Sequence, residues 1–230
     1  MLPAPERAEL LRVCQPVALP LNTPLLKAEQ LPQYVYLITS GVASFVSPMG
    51  TGEGVEVSMI GREGLTSAYH LLGDQRSICD CFMQIPGTGL RIEFRKFQQM
   101  FEILPQLHRR VLQHVQHETM GLQQLTACNR VHLAEQRLAR WLLMASDRAG
   151  SMELPLTQEF MAQMLGTRRT TVTLIAGILQ RDGLIQYRRG NVTILDRGLM
   201  ERTSCECYKK LLRLYQQLYQ SPGTPVSTAG

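Results

Sequence analysis

The chain has 230 residues, 44% of them hydrophobic, with 24 Lys and Arg against 19 Asp and Glu, a net charge of +5 and a pI near 9.0. That is enough chain for one large or two modest domains, and enough apolar content to exclude disorder as the default. No run approaches the roughly 20 apolar residues of a membrane span, and MLPAPERAELL lacks the basic-then-apolar order of a secretory leader, so a cytoplasmic protein with reduced thiols is expected.

In chain order, residues 5 to 13 read as a short helix, and Pro16, Pro20 and Pro24 keep the next stretch extended. From Tyr34 to Arg95, short β-rich runs (YVYLIT, VASFVS, VEVSMI, ICDCFMQI, LRIEFR) alternate with glycine-bearing breaks at Gly41, 50–54, Gly61, Gly64, Gly73 and 86–89. Many short strands at this spacing predict a small antiparallel barrel or sandwich. Cys79 and Cys81, two apart on a strand, predict one buried and one exposed thiol. His70 and Asp74 read as a surface pair in a loop.

Helical spacing returns at Lys96 to Ile103. From Pro105 a long helix carries one apolar stripe, Leu107, Val111, Val115, Leu122 and Leu125, and such a helix needs a partner. Glu118 and Thr119 interrupt the stripe; they set register in a dimer seam, are simply exposed, or touch a ligand, with register or exposure the favoured reading. His114 and His117 are three apart, but spacing pins no third ligand beside them. The six cysteines (Cys14, Cys79, Cys81, Cys128, Cys205 and Cys207) include no C-x-x-C, so spacing supports neither a zinc nor a thioredoxin-like site, and packing is the expected role of each. Residues 132 to 148 form another amphipathic helix, with AGSMELP as a linker behind it.

The most informative stretch is Leu156 to Asp196. Thr157 is a good N-cap, Glu159 suits the positive helix end, and Phe160, Met161, Met164 and Leu165 share one face before Gly166 ends the helix. A second helix opens with Arg168, Arg169, Thr170, Thr171 and Thr173, while Val172, Ile175, Ala176, Ile178 and Leu179 point inward. Asp182 and Gly183 stop it, and LIQYRRGNVTIL alternates around Arg189-Gly190-Asn191 as a hairpin does. This is the pattern of a winged helix-turn-helix, whose second helix enters the DNA major groove, where arginine donates twice to guanine. Arg188 and Arg189 on the wing can reach phosphates. Residues 198 to 219 predict a last helix, followed by a disordered tail.

The order of these parts resembles the cyclic-AMP receptor and fumarate-nitrate regulator superfamily of bacterial transcription factors, over roughly residues 20 to 200. The resemblance rests on YLITSG at 36–41, Gln75-Arg76-Ser77, RLARWLL at 137–143, and LTQEFMAQMLGTRRTTV at 156–172 followed by GLI at 183–185. TACNRVHLAEQRLARWLLMASDRAG and LQRDGLIQYRRGNVTILDR resemble a branch with no defined effector. The resemblance implies dimerisation through the central helix, a cyclic nucleotide held by an arginine cassette, and RNA polymerase as a further partner. Arg76 and Ser77 match that cassette, and with Thr119 they are the candidate effector residues. Leu65 and Thr66, however, stand where the resemblance calls for Gly-Glu, Glu63 is out of register, and Ile78 replaces an alanine. A ribose site without its carboxylate leaves hydroxyls unpaired, at roughly 1–3 kcal/mol, so a cyclic nucleotide is disfavoured. Only Cys14 precedes residue 79, so the N-terminal iron–sulfur cysteines of oxygen-sensing members are absent, and no residue argues for haem. In the recognition helix the positions matching the common base-reading triplet are Arg169, Thr170 and Leu174, which implies an operator different from the best-known one. Arg168 reads as a phosphate contact.

The expected protein is therefore α+β: an antiparallel β-roll sensor over 1–104, a dimerisation helix over 105–131, a winged helix-turn-helix over 132–200, and a C-terminal helix and tail over 201–230. The expected function is a homodimeric regulator binding double-stranded DNA at an inverted-repeat operator, without a metal. The alternative is a small-molecule-binding module acting through protein partners, with a vestigial DNA-binding domain. No catalytic constellation is present at a supporting spacing.

Overall fold

The computed structural model describes residues 2–50, 54–73 and 76–219. Helix α1 (Ala4–Val13) leads into a five-stranded antiparallel sheet of β1 (Gln15–Leu19), β2 (Pro24–Leu26), β3 (Tyr34–Pro48), β4 (Gly54–Ile60) and β5 (Asp80–Glu93). The order is β1-β5-β3-β4, with β2 also on β5, and the sheet forms a roll around Leu19, Leu26, Ile38, Phe45, Ile60 and Met83. Helix α2 (Phe94–Ile103) and the 27-residue α3 (Pro105–Val131) follow; α3 is about 40 Å long at 1.5 Å per residue. The Glu6 carboxylate of α1 accepts from the Gln106 and Leu107 amides (3.2 and 2.9 Å), satisfying two orphan donors at the start of α3.

The second half comprises α4 (Ala134–Ala149), β6 (Glu153–Leu154), α5 (Gln158–Leu165), α6 (Arg169–Arg181), β7 (Ile185–Arg188), β8 (Asn191–Ile194), α7 (Arg197–Thr203) and α8 (Cys207–Tyr219). Its core is continuous with the roll: Val42, Val46, Met59 and Ile85 pack in one cluster with Leu138, Trp141, Leu142, Met161 and Val172. No helix among the described residues is long and apolar enough to cross a membrane.

Several expectations needed correction. Gly41 and the 86–89 stretch do not end strands. β3 and β5 run through them, because Gly41 sits at φ +84° in a bulge and a Cβ on Gly87 would lie 2.0 Å from the Ser40 carbonyl oxygen, so glycine is what lets the two strands pass this closely. AGSMELP is more than a linker, since Glu153 and Leu154 pair with Thr193 and Val192 as a third wing strand. The helix expected over 198–219 is broken at Ser204, whose extended backbone separates α7 from α8. Cys79 and Cys81 are both buried, because Cys79 precedes the strand and does not follow its alternation. His70 is buried against Tyr69 (ring centroids 4.2 Å apart), not at the surface. The expected disordered tail lies outside the described residues, as does Asp74.

Candidate nucleic-acid interface

The helix-turn-helix is built from local rules. Thr157 Oγ1 accepts from the Phe160 amide at 3.1 Å, and Gly166, at φ +58°, closes α5 in the left-handed conformation. Arg137 on α4 donates to the Leu165 carbonyl (2.6 Å), satisfying a C-terminal acceptor of α5. Val172, Ile175, Ala176 and Leu179 anchor α6 inward, which leaves its first turn outside. Arg168, Arg169 and Thr170 are exposed and Thr171 is half-buried. The Thr173 hydroxyl is spoken for: it lies 2.7 Å from Gln158 Oε1 and 3.0 Å from the Arg169 carbonyl, tying α6 to the start of α5.

The wing turn is Arg189-Gly190, with φ of +49° and +81° between the paired Arg188 and Asn191, the two-residue geometry that matches strand twist. Arg188 and Arg189 are both exposed. Tyr187 fixes the wing to the helices: its amide donates to Gln180 Oε1 (2.8 Å) and its hydroxyl accepts from the Gln158 amide (3.3 Å). The candidate residues thus form one outward surface, with two refinements. Thr173 serves as a tie, and Leu174, 66% exposed one turn beyond Thr170, is an apolar side chain on the same surface.

The opposite side of this domain is docked on the roll. Trp141 Nε1 donates to Glu56 Oε1 (2.6 Å), and the Ser44 hydroxyl donates to Glu56 Oε2 (2.6 Å). Enclosure pushes the Glu56 carboxyl up to about 7, against the Ser44 and Trp141 hydrogen bonds and the Arg140 and Arg148 charges, which pull it down. Glu63 and Arg148, both buried, pair at 2.7 Å across the same junction.

The candidate effector residues do not converge. A cavity of about 430 Å³ lies between the roll and α3, walled by Phe45, Val57, Ile60, Leu65, Ala68 and Val115. Thr119 lines it, although its hydroxyl donates to the Val115 carbonyl (2.8 Å). Arg76 lies outside, exposed and donating to the Glu29 carbonyl (2.8 Å). Ser77 is buried on the Cys79 carbonyl and beside the Tyr69 hydroxyl, while its neighbours Ile78 and Cys79 reach the cavity. Glu118 is the charged group there. Burial raises its carboxyl, but His117, His114 and the Ser58 hydroxyl (2.7 Å) outweigh that and hold it below the ordinary range. Among the described residues no Lys or Arg lines the cavity. The apolar wall is not legible in the sequence because its residues come from two strands, the loops beside them, a 3-10 turn (Ala68–Leu72) and a helix.

Residues 136–203 match the Crp-like helix-turn-helix domain family. No curated protein matches the sequence. Among solved structures, a Crp/Fnr-family transcriptional regulator from Eubacterium rectale is 17% identical, with a TM-score of 0.70 over 88% of this chain and 94% of its own. The c-di-GMP-responsive global regulator CLP of Xanthomonas campestris is 15% identical, at 0.70 over 84% and 100%. FixK2 of Bradyrhizobium japonicum is 14% identical, at 0.70 over 84% and 98%. Residues 136–203 thus belong to the Crp-like helix-turn-helix domain family, and most of the chain shares the fold of these three solved structures.

Proposed function

We propose that the chain is a homodimeric, sequence-specific DNA-binding transcription regulator of the cytoplasm, whose roll and central helix sense a small molecule. The observation that carries this reading is the exposed first turn of α6 beside an exposed basic wing, on a Crp-like domain. Arg169 reads a guanine, Thr170 and Leu174 meet a neighbouring base edge or thymine methyl, and Arg168, Thr171, Arg188 and Arg189 hold phosphates. Thr173 acts by fixing the helix. Leu112, Met120 and Leu122, exposed along α3, support its use as a seam between two copies.

The cavity favours an apolar effector with a hydrogen-bond donor for Glu118. A cyclic phosphate would meet the Glu118 carboxylate and, among the described residues, no Lys or Arg in the lining, which weighs against a cyclic nucleotide. RNA polymerase is the partner through which such a regulator acts.

Selection of bound sequences from a random DNA pool, with and without cyclic nucleotides, tests the proposal. An inverted repeat with half-sites about 10–10.5 base pairs apart is expected, unchanged by the nucleotides. A single asymmetric site would refute the dimeric reading, and a nucleotide-dependent motif would refute the effector class.

A further inference from the structure

Two stretches remote in sequence meet where α8 lies on the end of α3. Cys128 is in the last turn of α3, His132 is that helix's C-cap four residues on, Cys205 lies in the break between α7 and α8, and Cys207 opens α8. The ligand atoms of all four lie within 4.8 Å of one another. The three thiols are buried, at 0, 3 and 0% exposure, as a cluster of their own. Cys128 Sγ is 3.5 Å from Cys205 Sγ, and Cys207 Sγ is 3.7 Å from His132 Nδ1.

These separations fit the edges of a metal tetrahedron. With metal–sulfur bonds of about 2.3 Å and metal–nitrogen bonds of about 2.0–2.1 Å, a regular site has S···S edges of about 3.8 Å and S···N edges of about 3.5 Å. A group this compact suits one ion. A cluster with bridging sulfides would set cysteines on different irons further apart.

The surroundings are those of a ligand set. His132 Nε2 lies 3.1 Å from Glu206 Oε2, so the carboxylate orients the ring with Nδ1 toward the thiols. Gln124 Nε2 donates to Cys207 Sγ at 3.1 Å. Arg140 is 4% exposed, its Nε has no hydrogen-bond partner, and its charge acts on the Cys128 and Cys205 thiols. Three thiolates and a neutral imidazole around a divalent ion carry one net negative charge, which the guanidinium offsets. Thiols that merely pack as small hydrophobes need none of these groups.

We propose that Cys128, His132, Cys205 and Cys207 form a mononuclear, four-coordinate zinc site. Soft thiolates with one imidazole in a tetrahedron select zinc, and four protein ligands leave no open position, so the site is structural. On binding, the three thiols release their protons to solvent. The ion fastens α8 to the break between α3 and α4, the point from which the DNA-binding domain departs. Sequence spacing concealed this, because the site uses a helical C-x-x-x-H and a distant C-x-C in place of paired C-x-x-C motifs.

The test is elemental quantification on the full-length chain purified under reductant without chelator. About one zinc per chain is expected, falling to near none in Cys205→Ser and retained in Cys14→Ser. Because Cys205→Ser could unfold, cobalt(II) is also added to the metal-stripped wild-type chain under reductant. Tetrahedral thiolate–cobalt absorption, displaced by zinc, supports the site. Iron in place of zinc, or a metal-free chain with a cobalt spectrum like that of the free ion, overturns it.

Discussion

Arg169 begins its helix with its side chain exposed, and the inward anchors of α6 start only at Val172. Replacing it with alanine is expected to cost roughly 1–3 kcal/mol of operator binding and to relax preference at one base pair. Competition assays on operator variants would measure this; an equal loss on random DNA would remove its base-reading role. Most of this surface was legible in the sequence because exposure on a helix follows from 3.6-residue periodicity. Thr173 was the exception. Its side chain points outward as the periodicity requires, but Gln158 fifteen residues away claims its hydroxyl, and a tertiary partner of that kind leaves no local mark.

At the level of elements, accuracy followed the range of the interactions involved. Caps and turns (Thr157, Gly166, Asp182-Gly183, Arg189-Gly190) are decided within a few residues and stand where expected. The strands misled because glycine carries two meanings: at Gly41 and Gly87 it permits a close strand crossing where the sequence pattern reads a turn. The cysteine–histidine group was invisible for a related reason, as its halves lie 77 residues apart at Cys128 and Cys205. The wing makes its own prediction. Replacing Arg188 and Arg189 with alanine together should flatten the plot of log affinity against log salt by about 2, since each phosphate contact contributes about 0.9 to the slope. Base preference should stay as in the unaltered chain, and an unchanged slope would show that the wing does not touch the backbone of DNA.

Across the whole molecule, the helix-turn-helix half and the roll share one core and meet through Glu56, Trp141, Glu63 and Arg148. The folded Glu56 carboxyl titrates at about 7 against an ordinary 4.5. Between those values the folded chain holds a proton that the unfolded chain has released, so this residue's contribution to stability falls as pH rises from 4.5 to 7 and levels off above. Urea unfolding of the wild type and Glu56→Gln should therefore show a stability difference that shifts in favour of the variant by roughly 1–3 kcal/mol over that window. Parallel stability curves would dismiss the idea.

The placement of the cavity has one more consequence. The inner side of α3 walls it through Val115 and Thr119, while Leu112 and Met120 of the same helix face out along the proposed seam. An α-helix with its side chains is about 10 Å across. On this reading the path from what a small molecule touches to what a second chain touches is one helix thick. The signal would need no relay through the sheet: a roll or shift of a single rod would alter both faces at once.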